Sequence, residues 1–147
     1  MTAKFQLVID CADPVRMTRF WAAALGHEVA PPPKGFETWN DYWKDVGFAE
    51  AEIGPSPDRV VDPSGNGPPI WFRQDDVPKS VKNRLHINIG AGGGRSVPLA
   101  ERRARVEAEA ARLTALGATR LEEMFSEGVD HYAVAMLDPE GNEFDIN

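Results

Sequence analysis

The chain has 147 residues, 42% of them hydrophobic and 27% charged, the make-up of a globular domain rather than a disordered or fibrous chain. Sixteen Lys and Arg against 23 Asp and Glu leave a net charge of −7, which argues against nucleic acid or an anionic membrane surface as a partner. The single cysteine, Cys11, excludes an internal disulfide framework and a Cys-rich zinc site.

No basic region followed by an apolar run opens the chain, and no stretch approaches the ~20 apolar residues of a membrane span. A signal peptide is therefore not expected, and the cytoplasm is the expected location. Residues 4–10 alternate as a strand, with Phe5, Leu7 and Ile9 on one face. Asp13 and Pro14 then suit the N-cap and first turn of a helix. Met17, Phe20, Trp21, Ala24 and Leu25 form its apolar stripe, and Gly26 stops it.

Pro31–Gly35 reads as a loop. Strand-like pieces are expected near 38–44, 46–53 and 69–74, punctuated by Pro and Gly. Leu85–Ile89 reads as a further strand and Gly90–Gly94 as a flexible connector. The connector lacks the last glycine of a dinucleotide loop and the Lys-Ser/Thr of a phosphate loop. A second helix is expected from about Pro98 to Leu116, with Leu99, Val106, Ala110 and Leu113 inward. Strands are expected near 119–123, 130–137 and 143–146, the last one an edge, with Asp138–Asn142 as the turn before it.

The order strand, helix, then about three strands thus occurs twice. Ala24-Leu25-Gly26 recurs as Ala115-Leu116-Gly117, and Val61-Asp-Pro-Ser-Gly-Asn66 recurs as Leu137-Asp-Pro-Glu-Gly-Asn142. The chain is accordingly expected to be one α+β domain over 1–147, built from tandem βαβββ modules at about 4–78 and 82–147. The modules would form a curled mixed sheet around a cleft where a small molecule binds.

The segments Val8–Pro14, Phe20-Trp21 with Ala23–Gly26, Lys82–His86 and Leu137–Phe144 resemble the vicinal oxygen chelate superfamily, in its glyoxalase-like branch with the glyoxalase and bleomycin-resistance proteins. Such a fold hosts lyases, isomerases, dioxygenases and non-catalytic binding proteins, so the resemblance alone names no reaction.

In metal-dependent members the first strand supplies a His or Gln seven residues before the Asp that opens the helix, which here is Gln6. The resemblance gives His86 as the third ligand and Asp145, seven residues after Asp138, as the fourth. The second ligand, usually a Glu on the strand near 69–74, has no counterpart; Gln74 is the nearest oxygen donor. Asn88 stands where relatives often have Asp.

The resemblance therefore implies one of two functions. The first is a lyase or isomerase acting next to a carbonyl. A divalent metal (Zn, Ni, Mn, Fe or Mg) on Gln6, His86 and Asp145 would be its Lewis acid, with Asp145 as ligand or base and His86 as ligand. The second is a metal-free protein that sequesters an apolar or aromatic compound, as antibiotic-resistance members do. An auxiliary domain with a degenerate pocket is a further alternative. The resemblance also implies a homodimer.

Other candidates are weaker. Cys11, His27, His131 and Ser126 have no partners at catalytic or ligand spacing. The aromatics Trp39, Tyr42, Trp43, Phe48, Trp71 and Phe72 are either core residues or walls of an apolar ligand pocket.

Overall fold

A computed structural model describes residues 3–147. The chain divides into two compact units, Met1–Pro78 and Lys79–Asn147. Unit 1 contains β1 (Leu7–Cys11), α1 (Pro14–Leu25), β2 (Glu28–Val29), α2 (Trp39–Val46), a 3₁₀ turn (Glu50–Glu52), β3 (Arg59–Val61) and β4 (Ile70–Gln74). Unit 2 contains β5 (Asn88–Ile89), α3 (Leu99–Ala115), β6 (Thr119–Phe125), β7 (Tyr132–Leu137) and β8 (Glu143–Ile146).

Both sheets have one topology. Unit 1 orders its strands β1-β4-β3-β2 and unit 2 orders its strands β5-β8-β7-β6. In each, the first and last strands pair in parallel and the other neighbours are antiparallel. The fold is α+β, with two four-stranded mixed sheets.

Alternation sorts each sheet into a core face and an open face. In β4, Ile70 and Phe72 are buried while Trp71 and Arg73 point the other way. Residues Met17, Phe20, Trp21 and Ala24 of α1 bury against β3 and β4. The Asp13 side chain accepts the Arg16 N–H at 3.0 Å, and Gly26 ends the helix at φ 64°. In unit 2, Val106, Ala110 and Leu113 of α3 are buried beside Val134, Met136, Phe144 and Ile146.

The observed structure departs from expectation in several places. Residues 38–44 are not strand: α2 runs from Trp39 to Val46. Thr38 and Asp41 form a reciprocal capping box, and Trp39, Tyr42, Trp43 and Val46 share one helical face. The 46–53 piece becomes the end of α2 and a 3₁₀ turn. Strands β2 and β3 went unpredicted. Phe5 lies outside β1 and is exposed, and β5 keeps only two of the five residues expected of it.

Strand β8 is not an edge, because β5 and β7 flank it. The Gly90–Gly94 connector is anchored rather than loose. The Ala91 and Gly92 N–H groups both donate to the Asn147 carbonyl, and Arg102 packs where a Gly92 Cβ would stand.

Candidate functional site

The Asp-Pro-x-Gly turns fix the registers that position the candidate residues. In unit 2 the buried Asp138 carboxylate accepts the N–H groups of Glu140 and Asn142 at 2.9 Å. In unit 1 Asp62 accepts the Ser64 hydroxyl at 2.7 Å and the N–H groups of Ser64 and Gly67 at 2.8 Å, and these bonds, the hydroxyl's first, hold its carboxyl below the usual carboxylate range.

Each turn feeds its fourth strand, and the pairing that follows is equivalent in both units. Asp145 on β8 lies opposite Ala135 on β7 and Asn88 on β5. Trp71 on β4 lies opposite Arg59 on β3 and Val8 on β1. Val61 and Leu137, the residues before each Asp-Pro, align these ladders, so Trp71 is the unit 1 counterpart of Asp145. By the same register Gln6, two residues before Val8, is the counterpart of His86, two residues before Asn88.

Trp71 thus fills the position where the family resemblance asks for a second carboxylate. Spacing hid this. Trp71 follows Asp62 by nine residues, whereas Asp145 follows Asp138 by seven, because Gly67 and Pro68 lengthen the unit 1 turn by two residues. Gln74, the nearest oxygen donor in the sequence, lies three residues further on at the exposed end of β4.

Within unit 2 the structure brings His86 and Asp145 together. The imidazole Nε2 lies 3.1 Å from the Asp145 Oδ2, an ion pair when the ring is protonated. Gln6 belongs to unit 1, precedes β1, is exposed and makes no hydrogen bond among the described residues. Among the described residues, no group of three or more His, Cys, Asp or Glu side chains is placed to hold a metal ion.

Unit 1 contains a cavity of about 400 Å³. Trp43, Phe48 and Trp71 supply its aromatic walls, and Asp58, Arg59, Arg73, Gln74 and Glu52 supply its polar lining. Asp58 and Arg59 are mostly shielded from solvent. Arg59 donates from Nε and Nη2 to both Asp58 oxygens at 2.8 and 2.9 Å, and the Trp71 indole N–H donates to Asp58 Oδ2 at 2.9 Å.

The Arg59 guanidinium also lies over the Trp39 ring at 4.1 Å and within 6 Å of the Trp43 and Trp71 rings. Trp39 is itself fixed by donating its indole N–H to the Ala30 carbonyl at 2.9 Å. The ion pair therefore locks the rings that line the cavity. On the open face of β4, Arg73 is held by Asp10 through Nε and Nη2 at 2.8 and 2.9 Å. Aromatic walls with a few fixed polar groups, at this volume, are the make-up of a small-molecule site.

The sequence placed Trp43, Phe48 and Trp71 among possible pocket walls but did not find Asp58 and Arg59. Their adjacency at the start of the short strand before the Asp62 turn was the available signal.

No helix among the described residues is long and apolar enough to cross a membrane. The glyoxalase-like domain family matches residues 6–147 of the chain. No curated protein matches it. Among solved structures, a glyoxalase/bleomycin resistance protein/dioxygenase family enzyme from Burkholderia phytofirmans is 18% identical with a TM-score of 0.61, covering 97% of this chain and 94% of that one.

The fosfomycin resistance protein FosX from Mesorhizobium loti is 13% identical with a TM-score of 0.56, covering 99% and 91%. A FosX variant from Listeria monocytogenes, complexed with Mn(II) and a dihydroxypropylphosphonic acid, is 13% identical with a TM-score of 0.58, covering 100% and 90%. At these identities the likeness is one of fold.

Proposed function

The chain belongs to the glyoxalase-like domain family, and we propose that it acts within that family as a metal-independent small-molecule binding protein, its ligand seated in the Trp43–Phe48–Trp71 cavity of unit 1. The observation that carries this reading is Trp71 at the station of Asp145. An indole has no lone pair to give a metal, and this one commits its N–H to Asp58.

The donor set fits a divalent ion poorly. His86 and Asp145 supply one imidazole and one carboxylate in unit 2, while their unit 1 counterparts are an amide and an indole. Catalytic zinc sites keep three protein ligands, and hard divalent ions favour carboxylate-rich sets. The same substitution that removes a donor adds a ring to a pocket wall.

The test pairs metal analysis with ligand titration. Protein dialysed against Zn(II) or Mn(II) and then desalted is expected to retain well under one ion per chain. Its tryptophan fluorescence is expected to change saturably with 2-acetylnaphthalene, and Phe48→Ala and Trp71→Ala are expected to weaken that change. Stoichiometric metal that His86→Ala removes would favour the metal-assisted lyase instead.

A further inference from the structure

We propose that the Trp71 cavity selects an uncharged planar aromatic compound bearing a carbonyl oxygen, and discriminates against a carboxylate of the same shape. This rests on reading the cavity as the ligand site. The walls supply the aromatic half of the argument: Trp43 and Trp71 offer ring surface to a planar ligand, and about 400 Å³ accommodates two fused rings and a substituent.

The polar lining supplies the other half. Arg59 and Arg73 both line the cavity, and each spends Nε and Nη2 on a carboxylate of this chain. Their Nη1 hydrogens are bonded to nothing among the described residues. The Gln74 amide also lines the cavity and has no hydrogen bond there. The site thus presents several donors in search of an acceptor.

Charge decides which acceptor. Asp58 already neutralises Arg59, and Asp10 neutralises Arg73. Glu52, the remaining charged lining residue, accepts the Ala49 N–H but has no cationic partner among the described residues. An entering anion meets donors without a surplus positive charge, faces Glu52, and loses its own hydration. A neutral carbonyl takes the same hydrogen bonds without that desolvation cost.

The experiment titrates three probes of one shape into the full chain by calorimetry at pH 7: 2-acetylnaphthalene, 2-naphthoate and 2-ethylnaphthalene. The acetyl compound is expected to bind about tenfold tighter than either of the others, the difference a hydrogen bond to a charged donor supplies. Arg73→Gln, at an exposed side chain, is expected to weaken the acetyl compound and leave the ethyl compound unchanged.

Naphthoate binding as tightly as the acetyl compound would overturn the preference for a neutral ligand. Ethylnaphthalene binding as tightly would overturn the carbonyl. If none of the three binds, or if binding survives both Phe48→Ala and Trp71→Ala, the cavity is not the ligand site and the reading beneath the proposal fails with it.

Discussion

Trp71 and Asp145 occupy the same station in two sheets of identical topology, each on the open face of a fourth strand and each paired with a first and a third strand. One is a hydrogen-bond donor with a large ring and the other a carboxylate. That difference separates the chemistry of the two units. Unit 1 has an aromatic cavity, and unit 2 has a His–Asp pair on its open face.

The indole N–H of Trp71 helps to fix Asp58, so Trp71→Phe should keep the wall and lose the bond. A hydrogen bond to a charged acceptor at a part-buried site contributes about 1.5–3 kcal/mol. We expect a loss toward the lower end of that range in urea unfolding, since Arg59 still pairs Asp58. No measurable loss would mean that Asp58 is held by Arg59 alone.

Thr18 lies in α1 with no solvent exposure, and its hydroxyl has no hydrogen-bond partner among the described residues. Burying a hydroxyl without a partner is unfavourable. Thr18→Val keeps the branched shape and removes that polar atom. It should raise unfolding stability by about 1 kcal/mol; a lower melting temperature would show that the hydroxyl is satisfied in solution.

In unit 2, Arg120 donates two hydrogen bonds to Glu107, at 2.7 and 2.9 Å, and the Tyr132 hydroxyl reaches the same carboxylate. The Arg120 bonds, then the Tyr132 bond, push Glu107 down to about 2 from its ordinary 4.5. A carboxyl lowered on folding stabilises fully above its unfolded pKa and loses that stabilisation as pH falls through the folded one. Melting temperature should therefore fall between about pH 4.5 and pH 2.

Glu107→Gln should lower the melting temperature at pH 7 and flatten that acid limb. Glu143, also held at about 2 chiefly by the Asn83 N–H, remains in the variant and preserves part of the slope. Both side chains are partly open to water, which screens the effect. Equal acid slopes in the two proteins would remove Glu107 from the account.

Gly93 sits at φ 88°, and a Cβ there would stand 2.5 Å from Arg105 Nη1. The flexible guanidinium can move, so backbone strain carries the cost. Gly93→Ala should destabilise by about 1–2 kcal/mol, measured by thermal melting. An unchanged melting temperature would mean that the connector rearranges at no cost, against its anchoring to Asn147.

The fold was legible where local chemistry and periodicity agreed. Asp13, Pro14 and Gly26 bound α1 as their types predict, and Val106, Ala110 and Leu113 turn inward at helical spacing. It was illegible where they conflicted. Trp39, Tyr42 and Trp43 are strand-favouring types, and they masked a helical face that the Thr38–Asp41 box makes decisive. Strands β2 and β3, of two and three residues, are too short for alternation to register.

The family resemblance singled out His86 and Asp145, whose side chains lie 3.1 Å apart in unit 2. Trp71 was missed as the unit 1 counterpart of Asp145 because two extra turn residues shift it out of the spacing. Only the strand register, which sequence does not display, restores the match.

The chain has four tryptophans, Trp21, Trp39, Trp43 and Trp71, and their indole N–H signals in a ¹H–¹⁵N spectrum report separately on the core and on the cavity. During titration with 2-acetylnaphthalene, the signals of Trp43 and Trp71 are expected to shift saturably. That of Trp21, which is 2% exposed in the core, should stay in place. Movement of the His86 ring signals with all four indoles unmoved would contradict the account.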